Sequence, residues 1–138
     1  MTDDILLAKL ATVDRCLHRI RKVSGDNPDA VENIDTQDIV VLNLQRAIQA
    51  AIDLAAWYLS SQHLGLPDTL KSHFTILRSA GIIDSELCQH LEAMVGFRNI
   101  AVHQYQQLDL DILKHIISHR LGDLEGFAMV IKTKLKSQ

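Results

Sequence analysis

Between Phe97 and Tyr105 the chain reads Phe-Arg-Asn-Ile-Ala-Val-His-Gln-Tyr, so that Arg98, Asn99, His103 and Tyr105 bring a guanidinium, an amide, an imidazole and a phenol into eight positions. Guanidinium stays charged and offers a planar fork that matches the non-bridging oxygens of a phosphate. Imidazole titrates close to neutral pH and suits proton transfer. The set can therefore bind an anion and move protons at it. The same groups also have plain structural uses: Arg98 can complement the negative end of its helix, His103 can cap it, and Tyr105 can be a buried ring with a satisfied hydroxyl. The chain has seven histidines, but only Arg98 among its arginines is followed by one four to six residues later.

Geometry limits how these groups can cooperate. If the preceding helix ran unbroken through the stretch, at about 100° per residue Asn99 and His103 would share a face, while Arg98 and His103 would lie roughly 140° apart. Tyr105, seven positions past Arg98, would return to its face. Arginine and imidazole can therefore meet on one small ligand in two ways. Either the helix ends near Ala101 to Val102 and the chain turns, or a second copy of the stretch supplies the partner group.

Arg98-Asn99-x-x-x-His103-x-Tyr105, at the end of a late helix in a small helical chain, resembles the Arg-x4-His-x-Tyr signature of the HepT-type toxins, which belong to the HEPN superfamily of helical ribonucleases. The likeness extends from Ile39 to about Lys132 and is sharpest from Arg98 through Leu108-Asp109-Leu110-Asp111-Ile112 to Ile116-Ile117. It implies a metal-independent endoribonuclease with no cofactor, in which His103 is general base or acid, Arg98 clamps the phosphate, and Asn99 orients His103 or holds the ribose. It also implies a homodimer with two Arg98/His103 pairs in one cleft, because one histidine cannot easily serve both ends of the scissile bond. Its partner would be an antitoxin of the MNT nucleotidyltransferase class that AMPylates Tyr105, placing bulk and negative charge beside Arg98. The alternatives are a non-catalytic HEPN-like module that binds nucleotide or substrate for a nucleotidyltransferase, and a purely structural helical dimerisation protein.

The elements that must position these residues are helices throughout. At 138 residues, with 47% hydrophobic and 22% charged residues, the chain is expected to form one domain spanning 1–138, an all-α, up-and-down bundle of four to five helices. Apolar residues from Ile5 to Ile20 recur at helical spacing up to a break at Ser24-Gly25-Asp26-Asn27-Pro28. A second, longer helix is expected from about Gln37 to Gln62, capped by Asp35 or Thr36. It is apolar nearly all round, with a narrow polar strip at Arg46, Gln49 and Asp53, so it needs neighbours on more than one side, and another subunit is a plausible one. Asp53 is expected to make an interhelical hydrogen bond or salt bridge. A short helix over Leu70 to Ser79 follows, then one over Glu86 to about Ala101 capped by Asp84 or Ser85. The last helical region runs from Asp109 to about Leu135, with a kink expected near Gly122. Gly96, inside a helix, suggests the close approach of another backbone.

The net charge of −3 and pI near 6.1 argue against a protein that grips long duplexes electrostatically; RNA contact must rest on a local patch. Lone Cys16 and Cys88 read as reduced core residues. The start, Met1-Thr2-Asp3-Asp4, lacks a basic leader, and no membrane span is expected, so the cytoplasm is the expected compartment. His115 and His119, four apart, are half of a possible metal site, but no His-Glu-x-x-His pattern accompanies them and no metal is expected.

Overall fold

The computed structural model describes residues 2–136; Met1, at the head of the acidic start, lies outside them. Six α-helices follow in order: α1 (Thr2–Ser24), α2 (Ile34–Ser61), α3 (Ser72–Ser79), α4 (Ser85–His103), α5 (Leu110–His119) and α6 (Leu121–Lys136). Two short 3-10 turns, Pro28–Glu32 and Tyr105–Gln107, link α1 to α2 and α4 to α5. The all-α expectation holds, with one more helix than the upper bound. The extra one arises because the last helical region divides at Arg120, before Gly122. The Arg120 N–H closes α5 on the Ile116 carbonyl, and the Asp123 N–H then bonds the Arg120 carbonyl.

α2 is the axis of the bundle. α1 packs along it, and α3, α4 and α6 all contact it. Its Val40, Val41, Leu44, Ala47, Ile48, Leu54, Ala55 and Leu59 are buried against these neighbours. Most of its apolar surface is thus met within one chain, while Ile34 and Leu42 stay 61% and 45% exposed. By length and composition alone α2 is apolar enough to cross a membrane, and 56% of that apolar stretch is buried in the bundle.

One contiguous core joins side chains from every helix, with Phe74 of α3 meeting Phe127 of α6 edge to face at 5.4 Å between ring centres. Each fully buried side chain of this size stabilises the fold by about 1.5–3 kcal/mol. Cys16 and Cys88 are both buried thiols.

The helix starts follow capping chemistry. Asp84 accepts from the Leu87 N–H at 2.8 Å, and Asp109 accepts from Asp111 and Ile112. For α2 the cap is Asn33, ahead of the expected Asp35 or Thr36: its carbonyl accepts from the N–H groups of both, at 3.0 and 3.1 Å. α3 begins at Ser72, two residues later than expected, because Thr69 and Ser72 bond one another across the preceding turn. Gly96 is not approached by a backbone; the Lys71 side chain lies over it.

Candidate functional site

α4 runs antiparallel to α2, and its last two turns carry the motif. The helix continues through Ala101 and Val102 to His103, and Gln104 leaves helical geometry only after that, at φ −144° and ψ 53°. Arg98 and His103 therefore project from one unbroken helix, about 140° apart. A single copy does not bring the two onto one ligand. Of the two routes left open by the sequence, the early turn is absent.

Arg98 lies against α2. One terminal nitrogen, Nη2, donates to the Gln49 side-chain carbonyl at 2.9 Å, and the other, Nη1, donates to the Asn99 carbonyl at 3.1 Å. Nε is buried without a partner among the described residues. Of five guanidinium N–H groups, this leaves one on each terminal nitrogen for a ligand. The guanidinium borders an open groove of about 180 Å³ between α2 and α4, lined by Leu42, Gln45, Arg46, Gln49, Arg98 and Val102. Arg46, exposed, is the second cation of this groove.

Gln49 is itself held. Its amide nitrogen donates to Asp53 at 2.9 Å, and the other carboxylate oxygen of Asp53 accepts from Lys9 of α1 at 2.8 Å. Asp53 thus makes the interhelical salt bridge expected of it and reaches Arg98 through one amide.

Asn99 bonds Arg98; among the described residues its side chain makes no hydrogen bond to His103. His103 is exposed on the last turn of α4 and makes no hydrogen bond or ion pair among the described residues. Its ring is open to solvent and to whatever docks there.

Tyr105 faces α2, as Arg98 does, although the chain has left the helix at Gln104. Its hydroxyl donates to Asp38 in the first turns of α2 at 2.5 Å and accepts from the Gln37 amide at 3.4 Å. Burial, and then the hydrogen bond to Asp38, raise its pKa above the ordinary tyrosine value. Asp38 and Gln49 are eleven residues apart on α2, about 16 Å along its axis. In one protomer the phenol and the guanidinium stand at opposite ends of a shared α2–α4 seam, with Leu42 and Arg46 between them.

The remaining histidines serve the scaffold where they are bonded. His90 Nδ1 lies 3.1 Å from a carboxylate oxygen of Asp123, and His73 donates to the Thr69 carbonyl. The His115 and His119 rings lie 5.0 Å apart, and no cluster of three or more potential metal ligands exists among the described residues.

The residues that the motif alone did not reveal are Asp38, Arg46, Gln49 and Asp53. Three of them form the polar strip that interrupts the apolar surface of α2, and that strip was the available signal.

Residues 13–131 match the Ribonuclease HepT-like family. The mRNA nuclease HepT of Shewanella oneidensis is 44% identical over 132 residues, which covers 96% of this chain and 99% of that protein. A putative RNase of Archaeoglobus fulgidus is 32% identical over 74 residues, 54% of this chain and 55% of its own length. Among solved structures, a tri-AMPylated Shewanella oneidensis HEPN toxin in complex with its MNT antitoxin superposes with a TM-score of 0.88 at 45% identity, covering 94% of this chain and 98% of that one. A toxin–antitoxin structure with AMP-PNP gives 0.86 at 44% identity, covering 93% and 98%. With a family match across most of its length, and relatives this similar over nearly all of it, the chain belongs to the HepT-like ribonucleases of the HEPN superfamily.

Proposed function

We propose that the protein is a metal-independent endoribonuclease, the toxin of a toxin–antitoxin pair, acting as one helical domain in a cytoplasmic homodimer. The observation that carries this reading is Arg98: a tethered guanidinium with two N–H groups left over, at the edge of an open groove that a second cation, Arg46, also lines. Such a fork suits the two non-bridging oxygens of a phosphodiester.

In the proposed reaction the 2′-oxygen of a ribose attacks the adjacent phosphorus while one His103 takes its proton. Charge gathers on the non-bridging oxygens beside Arg98. The bond to the 5′-oxygen breaks, and that oxygen leaves with a proton from a second His103. The products are a 2′,3′-cyclic phosphate and a 5′-hydroxyl. Guanidinium stabilisation of the phosphorane and imidazole proton transfer each supply on the order of 100-fold or more.

Two histidines on opposite sides of one phosphate require two chains. The 140° separation within a protomer favours a two-fold dimer across the α2–α4 seam, where Leu42 and Val102 are 45% and 42% exposed. Asn99 then supports the clamp by holding Nη1 of Arg98.

Inhibition is assigned to Tyr105. An MNT-type nucleotidyltransferase transfers AMP from ATP to its hydroxyl, releasing pyrophosphate, and the added phosphate and base obstruct the seam that RNA must enter. The likeness to a tri-AMPylated toxin bound to its MNT antitoxin supports this part of the reading.

Purified protein incubated with total RNA, with and without EDTA, tests the proposal beside Arg98→Ala and His103→Ala. Cleavage should survive EDTA, leave cyclic phosphate ends, and vanish in both variants while helicity and melting stay at wild-type values. Wild-type cleavage by both variants would end the assignment.

A further inference from the structure

We infer that Gln49 and Asp53 are positioning residues of the nuclease, which fix the orientation of Arg98 while leaving its charge available to the phosphate; the inference rests on the role proposed above for Arg98. Three hydrogen bonds link four side chains in series: Lys9 to Asp53 at 2.8 Å, Gln49 to Asp53 at 2.9 Å, and Arg98 to Gln49 at 2.9 Å.

The polarity of this series is dictated by its ends. An ionised carboxylate only accepts and a guanidinium only donates. A glutamine amide between them can satisfy both in one orientation alone, nitrogen toward Asp53 and carbonyl toward Arg98. Asp53, four residues from Gln49 on α2 and held by Lys9 from α1, therefore locks the amide, and the amide locks Nη2. A guanidinium on a long flexible stem otherwise spreads over many rotamers.

The neutral link also has a consequence for charge. A carboxylate placed directly on Arg98 would take its fork as a bidentate pair and compete with substrate phosphate. With Gln49 interposed, the carboxylate acts at one remove, and one N–H on each terminal nitrogen stays open toward the groove. Asn99 holds the other terminal nitrogen from within α4.

The test is steady-state cleavage of a single-stranded RNA oligonucleotide by the full-length protein and its Arg98→Ala, Lys9→Ala, Gln49→Ala, Gln49→Glu and Asp53→Asn variants, with melting temperatures recorded for each. A hydrogen bond to a charged group has a strength that corresponds to about 10- to 100-fold in rate. Gln49→Ala and Asp53→Asn should each lower kcat by about that factor with little change in KM. A double variant that joins Gln49→Ala to Asp53→Asn should be no slower than Gln49→Ala, because both act through one guanidinium. Gln49→Glu should fall below Gln49→Ala, since its carboxylate would seize the fork. Lys9→Ala, which loosens Asp53 without removing it, should cost less than Asp53→Asn.

Undiminished kcat in Gln49→Ala overturns the inference, as do losses that multiply in the double variant. Equal losses in Lys9→Ala and Asp53→Asn would also overturn it, by reducing Asp53 to a fastener between α1 and α2. Arg98→Ala separates the two levels: if it cleaves at the wild-type rate the clamp itself is wrong, whereas an inactive Arg98→Ala beside an unimpaired Gln49→Ala refutes only the positioning role.

Discussion

The hydroxyl of Tyr105 donates to the carboxylate of Asp38 across 67 residues of sequence, at 2.5 Å. That bond pins the exit from α4 onto the start of α2, and it favours the neutral phenol. Because the pKa in the folded state lies above the ordinary value near 10, folded protein holds this proton more tightly than unfolded chain does. The contribution to stability is therefore complete below about pH 10 and is lost as pH rises through the folded-state pKa. In a Tyr58→Phe background, which leaves Tyr105 as the single tyrosine, ultraviolet titration should place tyrosinate formation above that of free tyrosine. Asp38→Asn should bring it down. A midpoint at or below the free value would contradict the pairing.

The separation of Arg98 and His103 on one helix makes a prediction about subunits. If each cleavage uses the His103 of both protomers, wild-type and His103→Ala chains unfolded together and refolded should form mixed dimers that lack one proton-transfer group and cleave about 100-fold or more slowly. Random pairing of equal amounts makes half of the dimers mixed and a quarter wild-type, so about a quarter of the cleavage by the same amount of wild-type protein should remain. About half of that cleavage, in a mixture shown to contain mixed dimers, would mean that one imidazole serves each phosphate.

Gly126 lies inside α6, exposed, with nothing within 4 Å of where a Cβ would stand. Gly126→Ala should stabilise the protein by about 0.5–1 kcal/mol through helix propensity and a less flexible unfolded chain. Denaturant melts that show no gain would mean that this face of α6 is engaged elsewhere. RNA cleavage should be unaffected, since α6 contributes nothing to the α2–α4 groove.

Cys88 is buried and donates to Glu92 at 3.2 Å. Burial first, then the nearby carboxylate, push its thiol up to about 11. At pH 8 folded protein should resist iodoacetamide at Cys88 over hours, while protein in denaturant reacts at the ordinary thiol rate. Mass spectrometry of alkylated peptides decides it, and rapid modification of native Cys88 would refute the burial.

The sequence disclosed the helices and the motif more readily than the partners of the motif. Apolar spacing marked each helix because burial in one shared core demands it, and Asp84 and Asp109 announced their helix starts by local capping chemistry. Asn33 was harder to single out, since Asp29, Asp35 and Thr36 are equally able caps nearby. The break at Arg120 falls two residues before Gly122, where the sequence marks a kink. Arg98, Asn99, His103 and Tyr105 were legible as a group because their spacing is local. That Gln49 holds Arg98, or that Asp38 holds Tyr105, follows only from the antiparallel seating of α4 on α2, which no short-range pattern encodes. The polar strip of Arg46, Gln49 and Asp53 could be seen as an interruption of an apolar helix, but not assigned a direction until α4 was laid against it.

The antiparallel seam turns α2 into a ruler. Whatever is tethered to Tyr105 has three helical turns, about 16 Å, to cross before it meets the guanidinium of its own protomer. Silencing from that anchor is then a question of reach: a short appendage guards the doorway, and only a longer one bars the far end of the room.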